Sequence, residues 1–371
     1  MQNNTIQAFF ALVRAGLWEK EAQLMPYGEV DYEEVMRLAE EQSMVGLVTA
    51  GLEHVQDVKV PQEILLQFIG QSLQLEQQND AMNNFIALLI GKMRQKDIYA
   101  LLVKGQGIAQ CYDRPMWRAC GDVDLLLSEE NYEKAKELLL PMASSSEKED
   151  TYKKHLAMTI DGWVVELHGY LRGGLSYRIN RVLDELRNDV FFGGNVRSWV
   201  NGKTHIFLPG INNDVLYVFA HFLNHFYKGG IGLRQICDWC RLLWTYRGKV
   251  DVRLLESRIR RAGLMSEWKA FAAFSVDYLG MPVNAIPLYD KSRKWKNKAR
   301  RIYSFIMMSG NFGHNRDMSY YGNKTYLVRK CISICRRTRD VLNHVLIFPL
   351  DSIRFFPYMI YRGIASAVRG E

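Results

Sequence analysis

Long apolar runs are missing from this chain. No stretch approaches the ~18 uninterrupted apolar residues that a membrane-crossing helix needs, so no transmembrane span is expected. The opening residues, "MQNNTIQAFFALVRAGLWEKEAQ", lack the basic start and the ~7–15-residue apolar core of a secretory signal, and the expectation is a cytoplasmic protein. Cysteine is sparse, with six in 371 residues (Cys111, Cys120, Cys237, Cys240, Cys331 and Cys335). That number does not build a disulfide scaffold in a chain this long, and free thiols in a reducing compartment are expected. There is no internal repeat, and no low-complexity segment beyond the serine run at 144–146.

Negative charge is scarce at one end only. Residues 291–371 carry 17 Lys and Arg against 4 Asp and Glu, a local +13 that leaves −5 for residues 1–290. The basic character therefore belongs to the tail, where aromatic residues interleave with it ("KSRKWKNKARRIYSF", "RFFPYMIYRG"). Such a segment suits an anionic partner or membrane surface, and nucleic acid is not excluded. Phe355, Phe356, Met359, Ile360 and Tyr361 beside Arg354 and Arg362 favour protein or lipid over DNA, and a solvated basic helix is the plainer account.

What is present elsewhere is ordinary globular composition, 48% hydrophobic and 24% charged, in a chain long enough for two or three folding units. Helix-period apolar positions run over 5–17 and 31–55, with Asp31 and Glu34 forming a capping box. Pro61 suits the first position of a helix filling most of 61–96. The pattern then changes. "IYALLV" (98–103) reads as a strand ending in a Gly-containing turn and a helix over 106–113. "DVDLLL" (122–127) reads as a second strand, followed by Ser128 as N-cap and a helix over 129–140. In "KHLAMTI-DG-WVVELHGYL", Asp161-Gly162 predicts a two-residue type I′ hairpin that pairs Ile160 with Trp163, Ala157 with Glu166 and His155 with His168. Period-2 alternation places Glu166 and His168 on one face. After a short apolar segment at 205–209, helices are expected over 212–227, 231–247, 251–262, 264–279, 293–309, 323–338 and parts of 340–368.

In "GDVDLLL", Asp122 and Asp124 share one strand face while Val123, Leu125 and Leu127 share the other. Two carboxylates ~7 Å apart at an effective dielectric of ~20 repel by ~2.4 kcal/mol, so a cation is expected to offset them. Glu166, on a strand able to lie alongside, makes a third carboxylate. Three oxygen ligands suit a hard divalent cation such as Mg²⁺ bridging to phosphates. The plainer account is a solvated strand end. In the turn before, Gly105 and Gly107 permit close backbone approach, the following helix presents free N–H groups, and Lys104 supplies a point charge. An ordinary strand-to-helix turn fits the same residues.

"LLVKGQGIAQCYDRPMWRACGDVDLLL", preceded by a long helix and followed by "VVELHGYL", resembles the uncharacterised nucleotidyltransferase family of the DNA polymerase β-like superfamily, over roughly residues 65 to 245. The motifs that carry the resemblance are K-G, R-x-x-G-D-x-D and E-L-H. It implies an α+β fold with a polymerase β-like core and a small mixed β-sheet, placed at 98–210; the helical periodicity adds an N-terminal helical region at 1–97 and a C-terminal helical domain with the basic tail at 211–371, whose last 120 residues the resemblance does not reach. It implies Asp122, Asp124 and Glu166 as catalytic metal ligands for two Mg²⁺ ions, and Lys104, Gly105, Arg118 and His168 as nucleotide-contacting residues. It also implies an ATP-like nucleoside triphosphate as substrate, with an unidentified acceptor. One departure stands out. The superfamily's phosphate-gripping turn is usually Gly-Gly or Gly-Ser about ten residues before the first Asp, whereas Gly105 is followed by Gln106 and lies 17 positions before Asp122. A catalytically degenerate nucleotide binder, or a partner- or membrane-binding protein acting through the basic tail, stands as the alternative.

Two further constellations are visible. His221 and His225 lie at i, i+4 on a helix, a zinc-capable spacing without a third ligand, which suits a helix packed over the catalytic sheet or a structural pair. Cys237 and Cys240 form C-x-x-C inside a predicted helix with no second pair, and are read as two buried thiols. Cys331 and Cys335 read as one helix face.

Overall fold

The computed structural model describes residues 2–228, 230–309 and 342–369, together with positions 328, 332, 335 and 339. Cys331 and most of the helix expected over 323–338 lie outside the described residues.

The N-terminal helices are α1 (Gln2–Trp18), α2 (Tyr32–Glu41), α3 (Val45–Glu53) and the 33-residue α4 (Gln62–Arg94). The single helix expected over 31–55 is two, broken where Ser43 adopts a φ of +54°. Asp31 caps α2 through the Glu34 N–H, as expected. The reciprocal half of the box is absent, because the Glu34 carboxylate is held by Arg37 and the Asp31 N–H turns to Thr5 Oγ1. Pro61 sits at the cap of α4, one position before its first helical residue.

The sheet is mixed and has seven strands: β1 (Ala100–Val103), β2 (Asp122–Leu127), β3 (Ser145–Ser146), β4 (His155–Ile160), β5 (Trp163–His168), β6 (Val196–Asn201) and β7 (Thr204–Pro209). They lie in the order β3-β4-β5-β2-β1-β7-β6. β2 runs parallel to β5 and antiparallel to β1, while β1 runs parallel to β7. The β4–β5 hairpin has the expected register, with Ile160 opposite Trp163 and His155 opposite His168. Asp161 and Gly162 both have positive φ (+50° and +82°), as a type I′ turn requires.

Helices cover both sides of this sheet, so the architecture is α+β. On one face Val123, Leu125, Leu127, Val165 and Leu167 pack against α4 and against α6 (Glu129–Leu139) in one buried cluster. Ser128 caps α6 by accepting from the Asn131 N–H. The other face, carrying the acidic residues, meets the short α5 (Gly105–Ala109) and the C-terminal helices α7 (Tyr177–Phe191), α8 (Ile211–Lys228) and α9 (Leu233–Thr245). Further out lie α10 (Val252–Ala262), α11 (Met265–Asp277), α12 (Arg293–Ser309) and α13 (Pro349–Arg369). Buried residues of α1 to α3 and of α8 to α13 belong to one continuous core.

Candidate active site

The carboxylates converge because three strands put them in adjacent rows. Asp122 and Asp124 alternate along β2. The parallel pairing with β5 sets Asp124 directly opposite Glu166, and β1 sets it opposite Val103, one residue before Lys104. Oxygens of Asp122, Asp124 and Glu166 all lie within 4.8 Å of one another. Asp124 is buried, at 2% exposure, a costly place for a carboxylate without positive partners.

The chain supplies two such partners. Lys104 Nζ and His168 Nε2 each lie 2.7 Å from Asp124 Oδ1. His168 Nε2 is also 3.3 Å from Glu166 Oε2, which receives His155 Nε2 at 3.0 Å. Burial opposes the charge of Lys104, but the facing Asp124 outweighs it and holds the ammonium above the ordinary lysine range. His168 is raised in the same way: burial lowers it, and its hydrogen bonds to Asp124 and Glu166 prevail. Burial alone would raise Glu166, yet the two histidines hold its carboxyl far below the usual range. Asp122 is raised, first by the charge of Asp124 and then by burial. The site as a whole therefore retains a demand for positive charge at Asp122.

Lys104 reaches this position through an unusual backbone, with φ +58°, a region few side chains adopt. Gly105 follows at φ +43°, where an added Cβ would stand 3.2 Å from Cys120 Sγ. The helix after this turn is short, ending at Ala109 rather than at 113.

Arg118 lines the space beside Asp122 and Asp124, but its guanidinium is already engaged. It is buried and grips Asp238 of α9 in a fork, at 2.8 and 2.7 Å, while Tyr112 Oη donates to the same carboxylate at 2.9 Å. Sequence reasoning missed Asp238, and it missed Arg234, one helical turn earlier. Arg234 lies 3.7 Å from Asp238, and its buried Nε has no hydrogen-bond partner. The available signal was a basic residue in the first turn of a helix behind the Gly-rich segment 229–232.

Two cavities meet at Lys104 and Glu166. One, of about 270 Å³, is bounded by Gly105, Asp122, Asp124 and Arg234. The other, of about 240 Å³, is bounded by Lys153, His155, Tyr170, Arg172 and Asn224. His221 and His225 of α8 line both, with their Nε2 atoms 3.0 Å apart. Burial, then Lys104, pulls both imidazoles down, His225 to about 4, so the pair is neutral near pH 7. The helix packs over the acidic face of the sheet and, among the described residues, neither histidine joins a group of three metal-capable side chains. Cys237 and Cys240 are fully buried in α9, where burial pushes both thiols up.

A mixed sheet with acidic residues on two adjacent parallel strands and a lysine turn beside them defines a nucleotidyltransferase core. The chain matches the family described as an uncharacterised nucleotidyltransferase over residues 28–279, and it belongs to that family. The match reaches further on both sides than the motifs at 104–168 suggest. No curated protein and no solved structure matches the chain.

Proposed function

We propose that this chain is a Mg²⁺-dependent nucleotidyltransferase that moves a nucleoside monophosphate from a nucleoside triphosphate to an acceptor. The observation that carries the reading is the convergence of Asp122, Asp124 and Glu166 within 4.8 Å beside Lys104, in a chain of this family. The donor set fits the ion: all three ligands are hard carboxylate oxygens, and the raised carboxyl of Asp122 marks charge that the chain's own cations leave uncompensated. Asp122, Asp124 and Glu166 would hold two Mg²⁺ ions, whose chemistry would be to offset charge on the triphosphate and to acidify the acceptor oxygen.

The chain's own residues do the rest. Arg234 offers an unsatisfied donor to the triphosphate in the larger cavity, and Arg118 positions it by fixing Asp238. Lys104 brings a permanent charge to the junction of the two cavities. Glu166, held well below the usual carboxylate range, is too weak a base to take a proton near pH 7, and its part is to ligate and orient. The neutral His221 and His225 wall the site without adding charge. The acceptor, in the second cavity, attacks the α-phosphate in line; its oxygen–phosphorus bond forms as the α–β bridge breaks, pyrophosphate leaves, and the acceptor's proton passes to solvent. A triphosphate substrate, and described cysteines that are all free thiols, fit a cytoplasmic setting.

The test is calorimetric titration of the four nucleoside triphosphates with Mg²⁺ into wild type and Asp122→Asn/Asp124→Asn, followed by an assay of pyrophosphate release. Metal-dependent binding lost in the double variant supports the reading. Binding without release for any acceptor favours a degenerate nucleotide binder, and no binding in wild type rejects the site.

A further inference from the structure

α13 and the turn before it are apolar on two sides. Phe348, Ser352, Phe355 and Met359, at steps of four and three, are buried on the core side. Exposed apolar residues lie on both sides of the break at 346–348: Leu342 and Leu346 in and after the short helical turn 342–345, and Leu350, Ile353, Tyr361 and Ile364 within α13. These six side chains are 58–80% exposed. An amphipathic surface helix buries one stripe and keeps the other polar; a helix apolar on both sides has a second apolar environment to meet.

The charge around this row says which environment. Among residues 291–309 and 342–364 the one carboxylate in the sequence is Asp351, and it is half-buried. Lys291, Arg293, Lys294, Lys296, Arg300 and Arg301 are all exposed. α12 is tied to the row directly: Arg301 donates to the Leu346 carbonyl, and Lys298 Nζ stands 4.4 Å from the Phe348 ring centre. Exposed aliphatic side chains beside charge of one sign match the boundary between acyl chains and anionic headgroups. Nucleic acid would take the charge but not the leucines. No helix among the described residues is long and apolar enough to cross a membrane, so the contact is one of lying on the surface.

We infer that residues 342–364, with the basic face of α12, dock the protein on the surface of an anionic lipid bilayer. The inference does not depend on the chemistry at the carboxylates. It does place the docking element against the site: Tyr358 Oη, on the inward side of α13, lies 3.0 Å from Tyr152 Oη, and Arg172 of the second cavity donates to the Tyr152 carbonyl at 3.4 Å.

The experiment is flotation of the full chain with vesicles of phosphatidylcholine mixed with phosphatidylglycerol, and with vesicles of phosphatidylcholine alone. Wild type is expected to float with the first and not the second. Two double variants separate the contributions: Leu350→Asp/Ile353→Asp removes apolar contact, and Lys294→Glu/Arg300→Glu reverses charge. Each is expected to lower the bound fraction by about tenfold or more, with the thermal midpoint unchanged as the check on folding. Should the apolar variant fail to fold, the charge variant, confined to exposed positions of α12, carries the test alone. Failure of wild type to float with either vesicle overturns the inference. Equal flotation of the charge variant, or of a folded apolar variant, also overturns it. So does a wild-type dimer in sedimentation velocity that the apolar variant breaks in the absence of vesicle binding.

Discussion

His168 Nε2 lies 2.7 Å from Asp124 Oδ1, across the parallel β2–β5 pair, and the same nitrogen is 3.3 Å from Glu166. One imidazole thus stands between two carboxylates that the sheet register sets face to face. Replacing it by alanine removes that partner and leaves Asp124 buried with Lys104 beside it. The expected loss for His168→Ala is about 2–3 kcal/mol of unfolding free energy without metal, read from denaturant midpoints. If divalent ions bind the same oxygens, millimolar Mg²⁺ recovers part of the loss in the variant and adds less to wild type. Equal metal effects in both proteins would place the ions elsewhere.

Arg118 and Arg234 both approach Asp238, with opposite expected phenotypes. Arg118 is buried in a two-pronged grip, so Arg118→Ala strands a buried carboxylate and is expected to destabilise by about 3–5 kcal/mol. Arg234 stands 3.7 Å from Asp238 and reaches the cavity, so Arg234→Gln is expected to leave the unfolding midpoint nearly unchanged. Its expected effect is a drop in triphosphate affinity of about tenfold, one lost charge-assisted hydrogen bond, measured by calorimetry. A reversal of these phenotypes would return the phosphate-binding role to Arg118.

The acidic cluster was legible because each part of it is local. Asp122 and Asp124 share a face by strand alternation, and the Asp161-Gly162 turn fixes the register that puts Glu166 and His168 together. A related turn signal, a glycine at the first of two loop residues, was present and unused at Gly202-Lys203, which close the β6–β7 hairpin between Asn201 and Thr204. There β6 is a half-exposed strand of mixed polarity, so its apolar signal is weak. Helix α7 was also missed, although Ser176 caps it and Ile179, Val182, Leu183, Leu186 and Val190 line its buried side. Other features were out of reach. The Arg118–Asp238 pair joins residues 120 positions apart. The break at Ser43 has no glycine or proline at the bend to announce it, although Ser43 takes a φ of +54°.

Gly105 is where backbone and site are most tightly linked. At φ +43°, alanine pays the left-handed penalty, and its Cβ would press on Cys120 Sγ at 3.2 Å and approach the Asp122 carbonyl at 3.5 Å. Gly105→Ala is expected to lose about 1–2 kcal/mol of stability. Relief of that contact moves Lys104 or Asp122, so Mg²⁺-nucleotide affinity falls with it. Paired chemical denaturation and calorimetric titration check both effects. Unchanged affinity in a destabilised variant would show that the turn is structural and does not shape the nucleotide site.

Glu267 offers a pH test independent of the carboxylate cluster. It is fully buried on α11, accepts a hydrogen bond from Tyr227 Oη at 2.9 Å, and is pushed up to about 8, first by burial and then by the charge of Asp351 on α13; Lys298 of α12 opposes the rise. In the unfolded chain the same carboxyl loses its proton near the ordinary glutamate value of 4.5. Between these two values the folded state holds a proton that the unfolded state has released, so stability falls as pH rises through the window and levels off above it. Asp351, also raised by burial, adds in the same direction. Glu267→Gln removes the titration while keeping a donor and an acceptor. Its midpoint is expected to match wild type near about pH 5 and to exceed it near about pH 9, by on the order of 3 kcal/mol. Parallel curves for the two proteins across that range would mean that Glu267 is ionised in the fold, with Lys298 as its counter-charge.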